Sequence, residues 1–526
     1  MYIYISDISK QNNTSNVSKG NLDSTTITLH SHACLEFKYK DFSFVCDPWI
    51  DDYAFFGAWR HYPAPVIKAC ELAPSALYIS HEHSDHCHIE SLKQIDKNIP
   101  VFIPQFSNGR LEKILANLGF KNVISLEFGK RVKIVNDFYV TIYEPASLWN
   151  DSQILLEING FRILNINDAG INHRIQREVQ SVDMICAAFS PGASGYPATY
   201  THLTTQEKIE IYEKSRKATL DMLFEACQLY NATYFLPFAS HFILNHPEHI
   251  KYMKIIRKNT IYDVIKRFEN SNVKVIDLLA GDSFSENKII KQPRSPNLYN
   301  TDSIIKYIND NFDKERFDKY YPSKEEYKYD KDMVLAYFMN LNLIPEMQFC
   351  EDLNVSVYPD SDNLKAFSFE VRNGYLELLD THIESPNLTI KIPSEILMYI
   401  VKNNESWDEA TIGYWCEFSR NPDIYHTEFW RILQAPFYLK GLGLKNQKQN
   451  LAFIDENSNV AMVLESLGNE GQKILSRYGL YCLSCNKAPA ESLTHACNMH
   501  GISNTRAQRM IKELNVHYLS KLNCEN

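Results

Sequence analysis

Three imidazoles and a carboxylate stand within the six residues His81-Glu82-His83-Ser84-Asp85-His86. They follow Ala76-Leu77-Tyr78-Ile79-Ser80, a short apolar run that reads as a buried strand. Imidazole and carboxylate are borderline ligands that suit zinc, iron or manganese. His81 and His83 lie one strand period apart and so point the same way. Asp85 and His86 sit just beyond, where a turn can aim them at a second ion. The plainer reading is a polar loop that happens to be rich in histidine, and the density of donors at a strand end argues against it.

A pair of metal ions needs more than four ligands, so further donors must come from later strand ends. Asn165-Ile166-Asn167-Asp168-Ala169-Gly170 puts Asp168 where a strand gives way to glycine. The competing role for that carboxylate is to cap a following helix. Pro237-Phe238-Ala239-Ser240-His241 offers His241 after another buried strand, with His246 and His249 as competitors just downstream.

The elements that must position these groups read as alternating strands and helices. Strand-like runs occur at Thr26–His30, Phe42–Cys46, Pro100–Pro104, Phe138–Tyr143, Gln153–Ile158, Phe161–Ile166 and Thr233–Pro237. Leu111–Leu118 and residues 204–229 carry helical patterns. This mixture predicts a layered α/β sandwich over residues 1–285. A Pro-, Asn- and Lys-rich stretch at 286–329 reads as a linker. An α+β accessory domain follows at 330–452, and a small helical domain at 453–526 contains Cys482-Leu483-Ser484-Cys485.

The chain has 526 residues, 44% of them hydrophobic and 22% charged, as expected of a globular protein. A formal charge of −10 argues against a nucleic-acid backbone as partner. No run approaches the ~20 apolar residues that span a bilayer, and the N-terminus lacks the pattern of a secretory signal. Twelve scattered cysteines fit a reducing compartment, so a cytoplasmic protein is expected.

The run H-x-H-x-D-H resembles the metallo-β-lactamase superfamily. That resemblance implies an αββα sandwich holding two metals, with the aspartate at Asp168 bridging them. The superfamily usually supplies a histidine on the strand before that aspartate, and no histidine lies between His88 and His173. The strand Tyr139–Tyr143 ends instead in Glu144, the expected replacement ligand, with Asp151 in the next loop as the alternative. A solvated strand-end charge is the competing reading of Glu144. A carboxylate at this place hardens the site and favours iron or manganese over zinc. The resemblance therefore gives His81, His83, Asp85, His86, Glu144, Asp168 and His241 as metal ligands, with Asp85 and Asp168 also catalytic.

Leu29-His30-Ser31-His32-Ala33 and Asp47-Pro48-Trp49 look like the lactonase-like branch of the superfamily. Phe189–Pro197, Phe235–Phe242 and Asn245-His246-Pro247 are similar to segments of the CMP-N-acetylneuraminate hydroxylase family, over roughly residues 25–285. Residues 364–435, including Trp407-Asp408-Glu409-Ala410, also resemble that group and either close over the metal cleft or form a packing domain. The family uses iron and molecular oxygen to hydroxylate the N-acyl group of a nucleotide sugar. The chloramphenicol-pathway β-hydroxylase likewise has a glutamate among its iron ligands. One departure is clear: Cys497-Asn498-Met499-His500 has C-x-x-H spacing without the C-x-H partner that a Rieske centre needs.

The expected function is therefore a non-haem diiron oxygenase hydroxylating a small or carrier-bound metabolite, with electrons from an external donor. The runner-up is a metallo-hydrolase of a lactone, phosphodiester or amide, in which the metal supplies hydroxide at neutral pH. A non-catalytic scaffold fits poorly, because structural zinc sites are closed and usually rich in thiolate. The Cys482/Cys485 pair is read as structural or regulatory, with a redox pair or half a metal site as the alternatives.

Overall fold

The computed structural model describes residues 24–147, 149–191, 193–343, 352–372, 374–379, 383–441, 454–456, 458, 460–480 and 492–524. These form two compact units. The first takes in the described residues up to Tyr329 together with Val357–Ala366 and Leu388–Pro422, and the second comprises the remainder.

The strands of the first unit begin with β1 (Thr25–Ser31), β2 (Cys34–Tyr39), β3 (Phe42–Cys46), β4 (Trp59–His61), β5 (Ala76–Tyr78) and β6 (Pro100–Pro104). They continue with β7 (Asn122–Leu126), β8 (Arg131–Val135), β9 (Phe138–Tyr143), β10 (Gln153–Ile158), β11 (Phe161–Asn167) and β12 (Met184–Ala188). The last are β13 (Tyr234–Phe238), β14 (Phe242–Leu244), β15 (Lys274–Val275), β16 (Asp282–Ser285) and β17 (Lys288–Ile290). One sheet has the order β17-β16-β1-β2-β3-β5-β6-β7 and the other β15-β13-β12-β11-β10-β9-β8.

Residue alternation along these strands builds four layers. In the first sheet Leu35, Phe37, Phe44, Tyr78 and Phe102 face a core shared with Val140, Ile142, Leu156 and Ile163 of the second. The intervening residues Val45, Leu77, Val101 and Ile103 face outward, onto the helices Ile89–Gln94 and Arg110–Asn117. On the outer side of the second sheet, Leu155, Leu164, Ile185 and Phe235 pack on the helices Thr205–Leu229 and Ile261–Phe268. The αββα sandwich implied by the resemblance is the fold.

Topology places the ligand-bearing loops on one edge. Strands β3, β5, β6 and β7 are parallel, and β1 runs in their direction because β2 is antiparallel to both β1 and β3. In the other sheet β11, β12 and β13 are parallel, and β10 is antiparallel to β11. Residues 32, 47 and 81–86 therefore leave the first sheet at the C-terminal ends of its parallel strands. Residues 168 and 241 do the same in the second sheet, and Asp151 enters β10 at that edge.

The segment Leu388–Pro422 belongs to this unit. Within it Leu388–Ile392 and Glu417–Arg420 pair antiparallel, and Phe418 bridges Tyr200. Indole N–H groups fasten it further: Trp59 Nε1 donates to the Ile412 carbonyl at 3.1 Å and Trp415 Nε1 to that of Phe55 at 3.1 Å.

In the second unit, the helices Val460–Arg477, Leu493–Met499 and Asn504–Cys524 share a core that includes Val463, Ile474, Cys497, Met510 and Leu514. Cys482 and Cys485 lie outside the described residues. Among the described residues, no helix is long and apolar enough to cross a membrane.

Phe138 of β9 joins the two sheets, its ring 5.5 Å from each of Phe42 and Phe44 of β3 and fully buried. Truncation to alanine opens a cavity between the sheets. Phe138→Ala is expected to destabilise the first unit by about 3–5 kcal/mol, followed through the fluorescence of buried Trp49 and Trp59 in denaturant. A loss of under ~1 kcal/mol would show that the sheets close onto one another without this ring.

Candidate metal centre

Six donors converge in two groups, each of two histidines and one aspartate. His81, His83 and Asp168 form one, and His32, Asp85 and His86 the other, with ligating atoms inside 4.8 Å of one another within each group. The second group is buried throughout, whereas the first grades from buried His81 to exposed Asp168. Asp168 also reaches the second group, its Oδ2 lying 3.5 Å from His86 Nε2. Its carboxylate thus stands between the two, where a bridging ligand would.

Backbone conformation aims these side chains. Asn167, the last residue of β11, has φ +57°, and Asp47, just after β3, has φ +45°. Asn and Asp are the non-glycine residues that best tolerate this left-handed region. The turn at Asn167 ends the strand and delivers Asp168. Ala239 adopts φ +49° after β13, and its N–H bonds the His32 carbonyl at 2.9 Å. That hydrogen bond links the loops of the two sheets beside the second group.

A carboxylate behind each ring sets the tautomer of His81 and His86. Asp47 Oδ2 lies 3.2 Å from His86 Nδ1. It accepts only, so Nδ1 carries the proton and the Nε2 lone pair faces Asp85 Oδ2 at 3.4 Å and Asp168 Oδ2 at 3.5 Å. Asp151 Oδ1 lies 3.2 Å from His81 Nδ1, and Ser80 Oγ 3.0 Å from it. That leaves His81 Nε2 directed at His83 Nδ1, 2.9 Å away.

The donor set fits a pair of cations. His86 Nε2 and Asp85 Oδ1 are buried and accept or donate no hydrogen bond among the described residues. Unpaired buried lone pairs facing carboxylate oxygens are costly unless a cation or a proton lies between them. Without metal, protons fill that role. Burial disfavours the His86 imidazolium, but Asp85 and Asp168 outweigh it and raise its pKa well above the usual value. His81 is likewise opposed by burial and raised by Asp151, to about 9. Burial would raise the Asp85 carboxyl, yet His86 and His32 hold it well below the ordinary range.

The remaining expected ligands are placed differently. Glu144 lies just past β9, two strands from β11, with its side chain exposed. Neither group contains it, and the carboxylate that meets His81 is the alternative, Asp151, buried in the loop before β10. Asp151 occupies the Nδ1 edge of that ring, which makes it an orienting partner of His81. His241 follows β13 at the correct edge but belongs to neither group. Burial, then the charges of His32 and Lys258, depress its pKa to about 3, and its Nδ1 is buried without a hydrogen bond among the described residues. His246 and His249 pack instead against Trp415, with ring centroids 5.5 and 4.3 Å away.

His32 takes the third place in the buried group, its Nε2 3.2 Å from Asp85 Oδ2. Its ring sits among Trp49, Trp59 and Phe242 at centroid distances of 5.3, 6.1 and 5.7 Å. The His-Ala pair after the first strand was its signal in the sequence. Asp408, in the stretch that the sequence left either closing over the cleft or packing apart, brings its Oδ2 to 3.2 Å from His83 Nε2. Next to it, burial and the neighbouring Glu405 push the Glu409 carboxyl up to about 8, while Ser84 Oγ donates to it at 3.3 Å.

Two outcomes follow. Asp151→Ala is expected to weaken metal retention about 10- to 100-fold against a chelator, and Glu144→Ala to leave it unchanged; the reverse order would return Glu144 to the ligand set. At pH 7, metal uptake should also expel a proton from each of His81 and His86, so affinity should fall as pH drops. Calorimetry in buffers of different ionisation enthalpy reads this directly, and uptake without proton release would show both rings already neutral.

Comparison with known proteins agrees with this architecture. Residues 26–182 match the model of the beta-lactamase superfamily domain. The cytidine monophosphate-N-acetylneuraminic acid hydroxylase of Mus musculus is 26% identical over 450 residues, covering 78% of this chain and 73% of the relative. Its namesake in Asterias rubens is 27% identical over 446 residues, covering 78% of this chain and 65% of the relative. A Homo sapiens relative that is 27% identical is described as inactive. Among solved structures, CmlA, a diiron beta-hydroxylase from Streptomyces venezuelae, aligns over 50% of this chain and 54% of its own at 14% identity and a TM-score of 0.34. Igni18, a metallo hydrolase from Ignicoccus hospitalis, aligns over 51% of this chain and 99% of its own at 11% identity and a TM-score of 0.34. The segment 26–182, with its strand-end His and Asp residues, is similar to the beta-lactamase superfamily domain.

Proposed function

We propose that the chain is a dinuclear-metal enzyme, and specifically a non-haem diiron oxygenase that hydroxylates a small or carrier-bound metabolite. The observation that carries this reading is the composition of the two donor groups, each two imidazoles and one carboxylate. Such a set leaves open positions on the ion and is the set used by non-haem iron oxygenases. The hydroxylase names of relatives that align along 78% of the chain support the same reading.

In this proposal His81, His83 and Asp168 hold one ion and His32, Asp85 and His86 the other, with Asp168 shared. When bound, the irons supply the activation of oxygen. The chain's own residues have separate tasks. Asp47 and Asp151 keep the His86 and His81 rings in the ligating tautomer. Asp85 and Asp168 balance the charge of the ions. Glu409, poised to gain or lose a proton near neutral pH, stands one hydrogen bond from the metal loop. Electrons come from an external donor.

A metal-dependent hydrolase is the second reading, because imidazole and carboxylate donors are also those of catalytic zinc. It requires neither oxygen nor a reductant.

Metal analysis of protein isolated without added zinc separates the two. Two irons per chain with the Mössbauer signature of a coupled pair, and oxygen consumption with a supplied reductant, are the expected results. Two zincs and turnover in the absence of oxygen would overturn the oxygenase. His83→Ala is expected to remove the ion of its own group and the activity with it, whereas replacing Cys482 and Cys485 by serine should leave metal content intact.

A further inference from the structure

We propose that Asp408, 325 residues downstream of His83, is a positioning residue that fixes the His83 tautomer and so completes the ligand group of His81, His83 and Asp168. This rests on the dinuclear-metal reading above and assigns a role in it to the segment Leu388–Pro422.

The argument turns on where two protons must be. Asp151 accepts from His81 Nδ1, which leaves the His81 Nε2 lone pair pointing at His83. Asp408 Oδ2 lies 3.2 Å from His83 Nε2 and can only accept, so the His83 proton sits on Nε2. The lone pair of His83 Nδ1 then faces that of His81 Nε2 across 2.9 Å. Two facing lone pairs at this distance repel unless a proton or a metal ion lies between them, and a metal ion takes the proton's place when it binds. Two nitrogens bound to one ion at about 2.0–2.1 Å each stand roughly 3 Å apart, so the spacing suits a shared metal. Without Asp408 the His83 proton is free to move to Nδ1, where it satisfies His81 by an ordinary hydrogen bond and blocks the ligating lone pair.

The segment is built to hold this contact. Asp408 opens the short helix Asp408–Thr411, whose next residue, Glu409, accepts from Ser84 Oγ at 3.3 Å. Consecutive residues of the helix thus hold consecutive residues of the metal loop, and Ser84 Oγ also receives the Phe55 N–H at 2.9 Å. Behind the helix, Trp59 and Trp415 make their indole hydrogen bonds to Ile412 and Phe55. Gly413 leaves no room for a side chain: a Cβ there would stand 2.4 Å from the Glu409 carbonyl and 3.0 Å from that of Phe55. The helix is therefore fixed against the loop that it orients.

The test is a cobalt(II) titration of the full-length metal-free chain, read by the visible absorption of the bound ion and by competition with a chelator. Wild-type protein should bind two ions. Asp408→Ala should weaken one of them about 10- to 100-fold and alter its absorption, leaving the other unchanged. Asp408→Asn, which keeps the volume but lacks the charge, should shift the same ion in the same direction by a smaller factor. In a His83→Ala background, adding Asp408→Ala should have no further effect, because the role passes through that ring. Wild-type affinity for both ions in the two Asp408 variants would overturn the inference, as would equal weakening of both ions. Loss of one ion as complete as in His83→Ala would make Asp408 a ligand and overturn the positioning role. Failure of the wild-type chain to bind two ions would instead strike at the dinuclear reading itself.

Discussion

The buried carboxylate of Asp47 is the interaction on which the metal centre depends. It is fully shielded from solvent, and a charge so placed is tolerable only if donors surround it. Four do. The Ser80 N–H and hydroxyl each donate at 2.8 Å, Asn167 Nδ2 at 2.7 Å and His86 Nδ1 at 3.2 Å. Ser80 follows β5 in one sheet and Asn167 ends β11 in the other, so one anion ties together both halves of the sandwich and a ligand ring. The left-handed backbone at Asp47 and Asn167 has its physical reason here, since each turn is held by hydrogen bonds at its side chain.

Asp151 at His81 and Asp408 at His83 repeat the arrangement with less burial. Each carboxylate accepts from the outer nitrogen of a ring and leaves the inner lone pair for an ion. In the metal-free protein protons occupy the inner positions, which explains why His81 and His86 favour the imidazolium in spite of complete burial. Metal and proton therefore compete for the same lone pairs. The site is consistent in either state because the carboxylates that raise the affinity for protons also raise that for metal.

The contiguous part of this design was legible in the sequence. His81, His83, Asp85 and His86 fall on one strand-end turn, and the alternation of apolar residues in β2, β3, β9, β10 and β11 is enough to predict two packed sheets. Asp168 was legible for the same reason, since it is the residue at which β11 yields to a glycine turn. Partners supplied from elsewhere in the chain were not. His32 meets Asp85, and Asp47 meets Ser80, only once the strands of the first sheet have paired, and Asn167 joins Asp47 only once the two sheets have stacked; the His-Ala pair marks His32, but local spacing does not show which group it meets. Glu144 is the contrasting case. A charge at a strand end looks like a ligand, but β9 lies two strands from β11, and the loop that follows brings Asp151 back toward His81 instead. Asp408 was legible only as part of a stretch that either closes over the metal cleft or forms a packing domain, and Leu388–Pro422 belongs to the first unit.

The two donor groups differ in their access to solvent. His32, Asp85 and His86 are buried among Trp49, Trp59 and Phe242, so an ion held there would be shielded from solvent. The side chains of His83 and Asp168 remain 29% and 32% exposed, so an ion in their group is the one a small molecule can reach. Asp168 belongs to the accessible group and also contacts the buried one, so a single carboxylate would link the ions held by the two groups. The helix bearing Asp408 and Glu409 reaches that accessible side, placing one carboxylate behind a ligand ring and a second, easily protonated carboxyl beside the loop. Catalysis at this edge would draw on both: a ring that must not turn, and a proton that must be able to move.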